Sequence, residues 1–243
     1  MENSTDKKMT GGEAIVKSLI NEGVETIFGL PGIQLDPMFN ALHDSSNEIR
    51  VVNARHEQGV AYMAFGYAQS TGKPGVYAVV PGPGILNTTA ALSTAYVCNS
   101  RVLAITGQIP SSYIGRELGM LHEIPNQLSI LEGLTKFARR INYPSDAPAI
   151  VSEAFKNMRS GRPRPTAIEM PMDIMQHKSE VTLRKFTDGY SPPAADPDLI
   201  KEAALILGAA KNPVIFVGTG AYEAGKEVTI LAEMLQAPVI SYQ

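Results

Sequence analysis

The chain has 243 residues, enough for one large domain or for one domain and part of a second. At 44% hydrophobic and 19% charged it has the balance of an ordinary globular protein, which excludes the disordered and fibrous classes. A formal net charge of -3, with no stripe of Lys and Arg, argues against nucleic acid as a partner. The basic residues of Arg159–Pro165 sit in a proline-broken turn and read as a solvated loop. The opening MENSTDKKMTGG lacks the apolar core of a signal peptide and no later run is long enough to span a membrane, so the chain reads as cytoplasmic. Cys98 is the only cysteine, which leaves no internal disulfide and no multi-cysteine metal site; its apolar surroundings predict a buried small hydrophobe.

Residues 1–10 read as a disordered lead-in. Gly12–Gly23 follows as a helix, with Ala14, Ile15, Leu19 and Ile20 inward and Gly23 as its stop. Val24–Leu30 is a strand running into the Pro31-Gly32 turn; a helix over Leu35–Leu42 and a strand at Ile49–Val52 come next. From Glu57 the pattern is helical, with Val60, Ala61, Ala64, Phe65 and Ala68 on one stripe, ending near Thr71–Pro74. Val76–Val80 is a β-branched run suited to a parallel sheet, followed by Pro-Gly-Pro-Gly and a helix over Ile85–Val97. Val102–Thr106 is a strand, Ser111–Gln127 an irregular loop, and Pro125 opens a short helix through Leu131. Phe137–Arg140 reads as an edge strand, Ala147–Met158 as a helix and Thr166–Met170 as a strand. Such alternation predicts an α/β fold with a parallel sheet and flanking helices over residues 1–175. Residues 176–195, without period and ending near Ser191-Pro192-Pro193, read as a linker. A second α/β unit occupies 196–243: a helix to about Leu207, strand Val214–Val217, a Gly218–Gly220 turn, helix Glu223–Leu235 and strand Val239–Ile240. Two strands are too few for an independent doubly wound domain, so this unit is expected to be truncated, the beginning of a larger one.

The chemical signals lie at strand ends. Glu57 falls in the first turn of its helix, where free N–H groups favour a carboxylate; it is either a helix cap or a ligand-facing acid. Phe28–Gly32 is a tight turn in which glycine permits close approach, with or without a ligand. Pro81–Asn87 gives G-x-G-x-x-N and lacks the third glycine and the following acid of a dinucleotide site. Neither glycine turn continues into a Walker motif; His56-Glu57 lacks the second histidine of a zinc peptidase; no Gly-x-Ser-x-Gly elbow occurs. His122 and Glu123 stand in the irregular loop, as surface residues or as groups approaching Glu57. No metal site is expected from this chain alone.

Gly11–Gly32, Ala54–Val76, Gly82–Asn87 and Thr106–Pro110, in that order and spacing, resemble four segments of the thiamine-diphosphate-dependent 2-keto-acid decarboxylase and carboligase superfamily, in particular its acetolactate-synthase-like members. The resemblance covers roughly Gly11–Met172 and continues from Asp196 into the start of a central domain. It implies an N-terminal domain that binds the aminopyrimidine of thiamine diphosphate, with Glu57 bonded to a ring nitrogen. By the same resemblance Gly29, Pro31 and Gly32 lie beside the cofactor, Pro83, Gly84 and Asn87 pack around the pyrimidine edge, and Gln108 and His122 face the substrate. Three positions depart from the pattern: Ile33 replaces a second glycine, Val80-Pro81 a Thr/Ser-like pair, and Leu121-His122-Glu123 the Phe-Gln-Glu of acetolactate synthases.

The resemblance further implies Mg2+ and the diphosphate held by a C-terminal domain, a 2-keto acid such as pyruvate as substrate, and a homodimer or dimer of dimers. FAD in the central domain is left open. The chain alone is expected to be inactive, lacking the diphosphate half of the site. The alternative from another class is a non-catalytic partner or assembly domain that retains the fold.

Overall fold

A computed structural model of the chain describes residues 6–183 and 193–241. The chain divides into two units, Met1–Ser191 and Pro192–Gln243. The first runs β1 (Asp6–Thr10), α1 (Gly11–Asn21), β2 (Thr26–Gly29), α2 (Asp36–Asp44), β3 (Arg50–Asn53), α3 (Glu57–Thr71), β4 (Gly75–Val79), α4 (Pro83–Leu86), α5 (Thr89–Val97) and β5 (Val102–Gln108). It continues through α6 (Gln127–Leu134), β6 (Phe137–Arg140), α7 (Ala147–Arg159), β7 (Thr166–Pro171), α8 (Met172–Gln176) and β8 (Lys178–Thr182).

Among the described residues, six strands form one parallel sheet in the order β3-β2-β4-β5-β7-β6. Its strands show the period of two that separates the faces. In β4, Val76 and Ala78 join the core under α1, α2 and α7, while Tyr77 and Val79 join the core under α3, α5 and α6. Leu103 and Ile105 of β5 face the first layer, Val102 and Ala104 the second. Chain direction along the sheet reverses at the two edge strands, β3 and β6, and the connecting helix changes face each time, as a constant crossover hand requires. Hence the connection after β2 leaves by one face and that after β4 by the other. These two strands are neighbours, so a crevice opens between their carboxyl ends.

Capping marks the helix boundaries. Thr10 and Glu13 form a reciprocal capping box at α1, with Glu13 N–H donating to Thr10 Oγ1 at 3.1 Å. Gly72, at φ 70°, ends α3 in the left-handed conformation that glycine adopts without strain.

Several expectations are corrected. Asp6–Thr10 and Lys178–Thr182, read as lead-in and linker, pair antiparallel as β1 and β8. Each offers one buried apolar side chain, Met9 and Val181, too little for a period to show, and the partner lies far away in sequence. Residues 1–5 of that lead-in and 184–192 of that linker lie outside the described residues. The helix expected over Ile85–Val97 is broken into α4 and α5 at Asn87-Thr88. Buried Thr88 donates to the Ile85 carbonyl at 2.7 Å and accepts from the Tyr77 hydroxyl at 2.8 Å, a local side-chain bond that competes with helix continuation. Burial pushes the Tyr77 hydroxyl well above the usual tyrosine range, so it stays a donor. Cys98 is exposed, because α5 ends there and Asn99 turns to φ 52°. Phe65 is half-buried, on the margin of its stripe.

The second unit contains α9 (Pro197–Gly208), β9 (Ile215–Val217), α10 (Gly225–Leu235) and β10 (Val239–Ser241), with β9 and β10 parallel. A 3-10 turn covers Thr219–Ala224, overlapping the start expected for the last helix. Among the described residues no helix is long and apolar enough to cross a membrane.

α3 approaches β4 at Gly75, where a Cβ would run into the Ala64 carbonyl oxygen. The main chain on both sides is locked into helix and sheet. Gly75→Ala is therefore expected to destabilise the first unit by about 1–3 kcal/mol, read from the urea midpoint at unchanged slope.

Candidate functional site

Three strand ends meet at the crevice: β2 leads into Leu30–Gly32, β3 into the start of α3, and β4 into Val80–Gly84. Their close approach is steric. A Cβ on Gly32 would stand 2.5 Å from Val80 Cγ1, and one on Gly84 would stand 2.6 Å from Val80 Cγ2. The two methyls of Val80 thus fill the space that side chains on both glycines would need. Gly29 is equally confined, 2.7 Å from the Phe39 ring by the same measure. Pro31 is exposed between these glycines, and Pro83 is exposed at the first position of α4.

Glu57 opens α3 but does not cap it. The cap is His56, whose Nδ1 accepts the Gln58 N–H at 3.1 Å. The Glu57 carboxylate turns instead to Asn87, which donates from Nδ2 to Oε2 at 3.0 Å. Asn87 is available because the helix breaks there. The other oxygen, Oε1, lies 3.8 Å from where a Gly84 Cβ would stand. A half-exposed carboxylate with one oxygen held by a donor from another loop can share a proton with the nitrogen of a heterocycle through the other. The chemistry of this pair, an acid steadied by an amide, fits a ring nitrogen of the pyrimidine part of a thiamine cofactor. Among the described residues no group of three or more His, Cys, Asp or Glu is placed to hold a metal.

The neighbouring loop is tied down from below. Glu169 of β7 is fully buried, and its carboxylate accepts from Arg140 Nε at 2.6 Å, Gln127 Nε2 at 2.7 Å and Gln108 Nε2 at 3.5 Å. Gln127 also donates to the Gly107 carbonyl at 3.1 Å, and its Oε1 takes the Gly82 N–H at 2.8 Å. Gly82 holds φ 59° and a Cβ there would strike the His122 backbone carbonyl. Gln108, expected to face the substrate, is buried; among the described residues its side chain bonds Glu169 and its own neighbour, with Oε1 accepting from Ile109 N–H at 2.8 Å. His122 is half-buried, and its Nδ1 lies 3.1 Å from Gln34 Oε1.

The structure therefore brings together Glu57, Gly84 and Asn87, with Gly32 on the other side of Val80. His122 joins through its backbone at Gly82. Sequence reasoning passed over Gln34, Gln127, Arg140 and Glu169. Glu169 carried a signal: an acid inside the strand Thr166–Met170, otherwise apolar in its centre, needs a partner. The glutamines carried none.

Replacing Gln127 with methionine keeps the bulk and removes both ends of the amide. Gln127→Met is expected to cost about 1–3 kcal/mol, because the Gly82 N–H and Glu169 each lose a partner. Amide exchange at Gly82 should accelerate by at least the same free energy, measured by hydrogen–deuterium exchange against Val76 in β4 as the internal control.

Residues 9–130 match the family model for the thiamine pyrophosphate enzyme N-terminal TPP binding domain. The chain is 35% identical over 239 residues to the probable 2-ketoarginine decarboxylase AruI of Pseudomonas aeruginosa, covering 97% of this chain and 42% of that protein. It is 35% identical over 236 residues to the acetolactate synthase isozyme 1 large subunit of Escherichia coli, covering 97% and 41%. With the acetolactate synthase of Arthrospira platensis the identity is 37% over 246 residues, covering 97% and 42%. The chain thus spans about two fifths of the length of these relatives. The family model covers β2 to β5 of the parallel sheet and the loops that carry Glu57, Gly84 and Asn87, and the chain belongs to the thiamine-pyrophosphate enzymes, in the acetolactate-synthase-like superfamily of 2-keto-acid decarboxylases, with the first unit as its pyrimidine-binding domain.

Proposed function

We propose that this chain supplies the pyrimidine half of the active site of an enzyme that decarboxylates a 2-keto acid and transfers the acyl unit to a carbonyl acceptor. The observation that carries this reading is the Glu57 carboxylate, turned away from its own helix, held by Asn87 and placed beside Gly84. Thiamine diphosphate, when bound, supplies a carbon nucleophile for the keto carbon and an electron sink for loss of carbon dioxide.

Each residue of the chain then has a defined task. Glu57 shares a proton with a ring nitrogen through Oε1, while Asn87 fixes the carboxylate by holding Oε2. Gly29, Pro31, Gly32, Pro83 and Gly84 shape the surface that receives the ring; the confined glycines admit no side chain there. His122 stands on the substrate side, in the loop packed on Gly82. Gln108 serves as a positioning residue through Glu169 and does not touch substrate. Mg2+ and the diphosphate are held by residues outside this chain, from a partner subunit, so the working enzyme is a cytoplasmic dimer or dimer of dimers. Half a site cannot preorganise the reacting groups, and the 243-residue chain alone is inactive.

The test is Glu57→Gln in the full-length enzyme. The fold should survive, since a carboxylate in the first helical turn contributes only about 0.3–1 kcal/mol through the helix field. Turnover of pyruvate or another 2-keto acid should fall by about 10²-fold or more, together with exchange of the cofactor C2 proton measured by NMR. Wild-type rates in both assays, on folded and cofactor-loaded protein, would reduce Glu57 to a helix-start residue.

A further inference from the structure

Gln34 lies in the 3-10 turn Ile33–Leu35 that follows the Gly29–Gly32 turn, and only 2% of it is exposed. Its backbone is wedged against the end of β5, where a Cβ on Gly107 would stand 3.0 Å from Gln34 O. The side-chain amide has one donating and one accepting end, and its neighbours fix which way it faces. The Leu121 carbonyl can only accept, so Gln34 presents Nε2 to it, at 3.4 Å. Oε1 is thereby turned to the His122 ring, 3.1 Å from Nδ1.

An amide oxygen cannot donate. The hydrogen of this bond belongs to His122 Nδ1, which in a neutral imidazole leaves the lone pair on Nε2. Among the described residues the His122 ring is hydrogen-bonded through Nδ1 to Gln34, and Nε2 has no partner. The backbone holds the ring as firmly as the amide does. His122 has φ 69°, and its carbonyl packs on Gly82, whose N–H is held in turn by Gln127.

We propose that Gln34 is a positioning residue that locks His122 in the Nδ1–H tautomer and makes Nε2 the nitrogen that works on the substrate side. This rests on the site reading given under the proposed function. Acyl transfer to a carbonyl acceptor needs a group that gives a proton to the acceptor oxygen and regains one at product release. Imidazolium gives the Nε2 proton to the acceptor oxygen as the new carbon–carbon bond forms and becomes imidazole; the proton lost when the product's keto group re-forms on release returns to Nε2. The Nδ1–H bond to Gln34 persists through both states, so the ring need not move.

The test reads the tautomer directly. The chain, labelled with 15N in its four histidine rings, is examined by long-range 1H–15N correlation at a pH where imidazoles are neutral, with His122 assigned by loss of its signals in His122→Asn. The expected result is a single Nδ1–H tautomer at His122. Gln34→Leu should release it to the tautomer mixture of an unrestrained imidazole, and Gln34→Glu, whose carboxylate also accepts, should keep it. An Nε2–H tautomer in the unaltered chain would overturn the proposal, as would a tautomer indifferent to Gln34→Leu. If Gln34→Leu fails to fold, the unaltered chain and Gln34→Glu still decide. The tautomer is read without cofactor: the expected tautomer with a failed Glu57→Gln test overturns the function alone, and the wrong tautomer with that test passed overturns this inference alone.

Discussion

The buried Glu169 carboxylate is the constraint from which the crevice takes its shape. A charge taken fully out of water is costly unless each lone pair finds a donor, and here the donors come from three elements. Arg140 reaches in from the edge strand β6, Gln108 from β5 and Gln127 from the start of α6. Satisfying one carboxylate therefore pins the carboxyl ends of β5, β6 and β7 to one another. Gln127 passes the constraint on, because the same amide that donates to Glu169 accepts from Gly82. The turn after β4 is thus fixed from the opposite side of the sheet's carboxyl edge. A buried pair of this kind is weak ground for stability and better ground for geometry: losing one partner is expensive, while an apolar replacement of the whole set would hold no loop.

Sterics complete what the hydrogen bonds begin. Val80 is the wedge, with one methyl against Gly32 and the other against Gly84. Both methyls are used, and a serine or threonine here would lack at least one of them. The broken helix belongs to the same design. Thr88 diverts the Ile85 carbonyl, α4 stops after one turn, and Asn87 emerges where its amide meets Glu57. Continuous helix through this point would carry Asn87 on a regular spiral fixed by α5.

Legibility in the sequence followed the range of the interactions. Strands such as Val76–Val80 and Val102–Thr106 were readable because both faces are buried and the run is apolar throughout. The glycine turns were readable because glycine's freedom is a local property, and the order of four motifs carried the pyrimidine-binding fold. Lys178–Thr182 was not readable, since its strand character depends on pairing with Asp6–Thr10 at the other end of the unit. The glutamines Gln34 and Gln127 were not readable for a related reason. An amide is neutral and tolerated anywhere, so only its partners, 87 to 88 residues away for Gln34 and 42 to 45 away for its links to Glu169 and Gly82 through Gln127, give it meaning. Gln108 illustrates the converse: read in the turn after Val102–Thr106, it is the last residue of β5, and its side chain meets Glu169.

Whether an acid at a helix start is structural or chemical turns on where its oxygens go. A capping carboxylate gives its oxygen to the N–H groups of the first turn, and in α3 that work is done by His56, one residue earlier, through Nδ1. Glu57 is then free of its own backbone while still lying at the positive end of the helix. Its one side-chain partner, Asn87, is a donor from a different loop, and a donor fixes a carboxylate without neutralising it. The remaining oxygen lies beside Gly84, whose backbone packs directly on Val80. The binding role proposed for Glu57 rests on this: a carboxylate freed from capping and held by a donor from another loop.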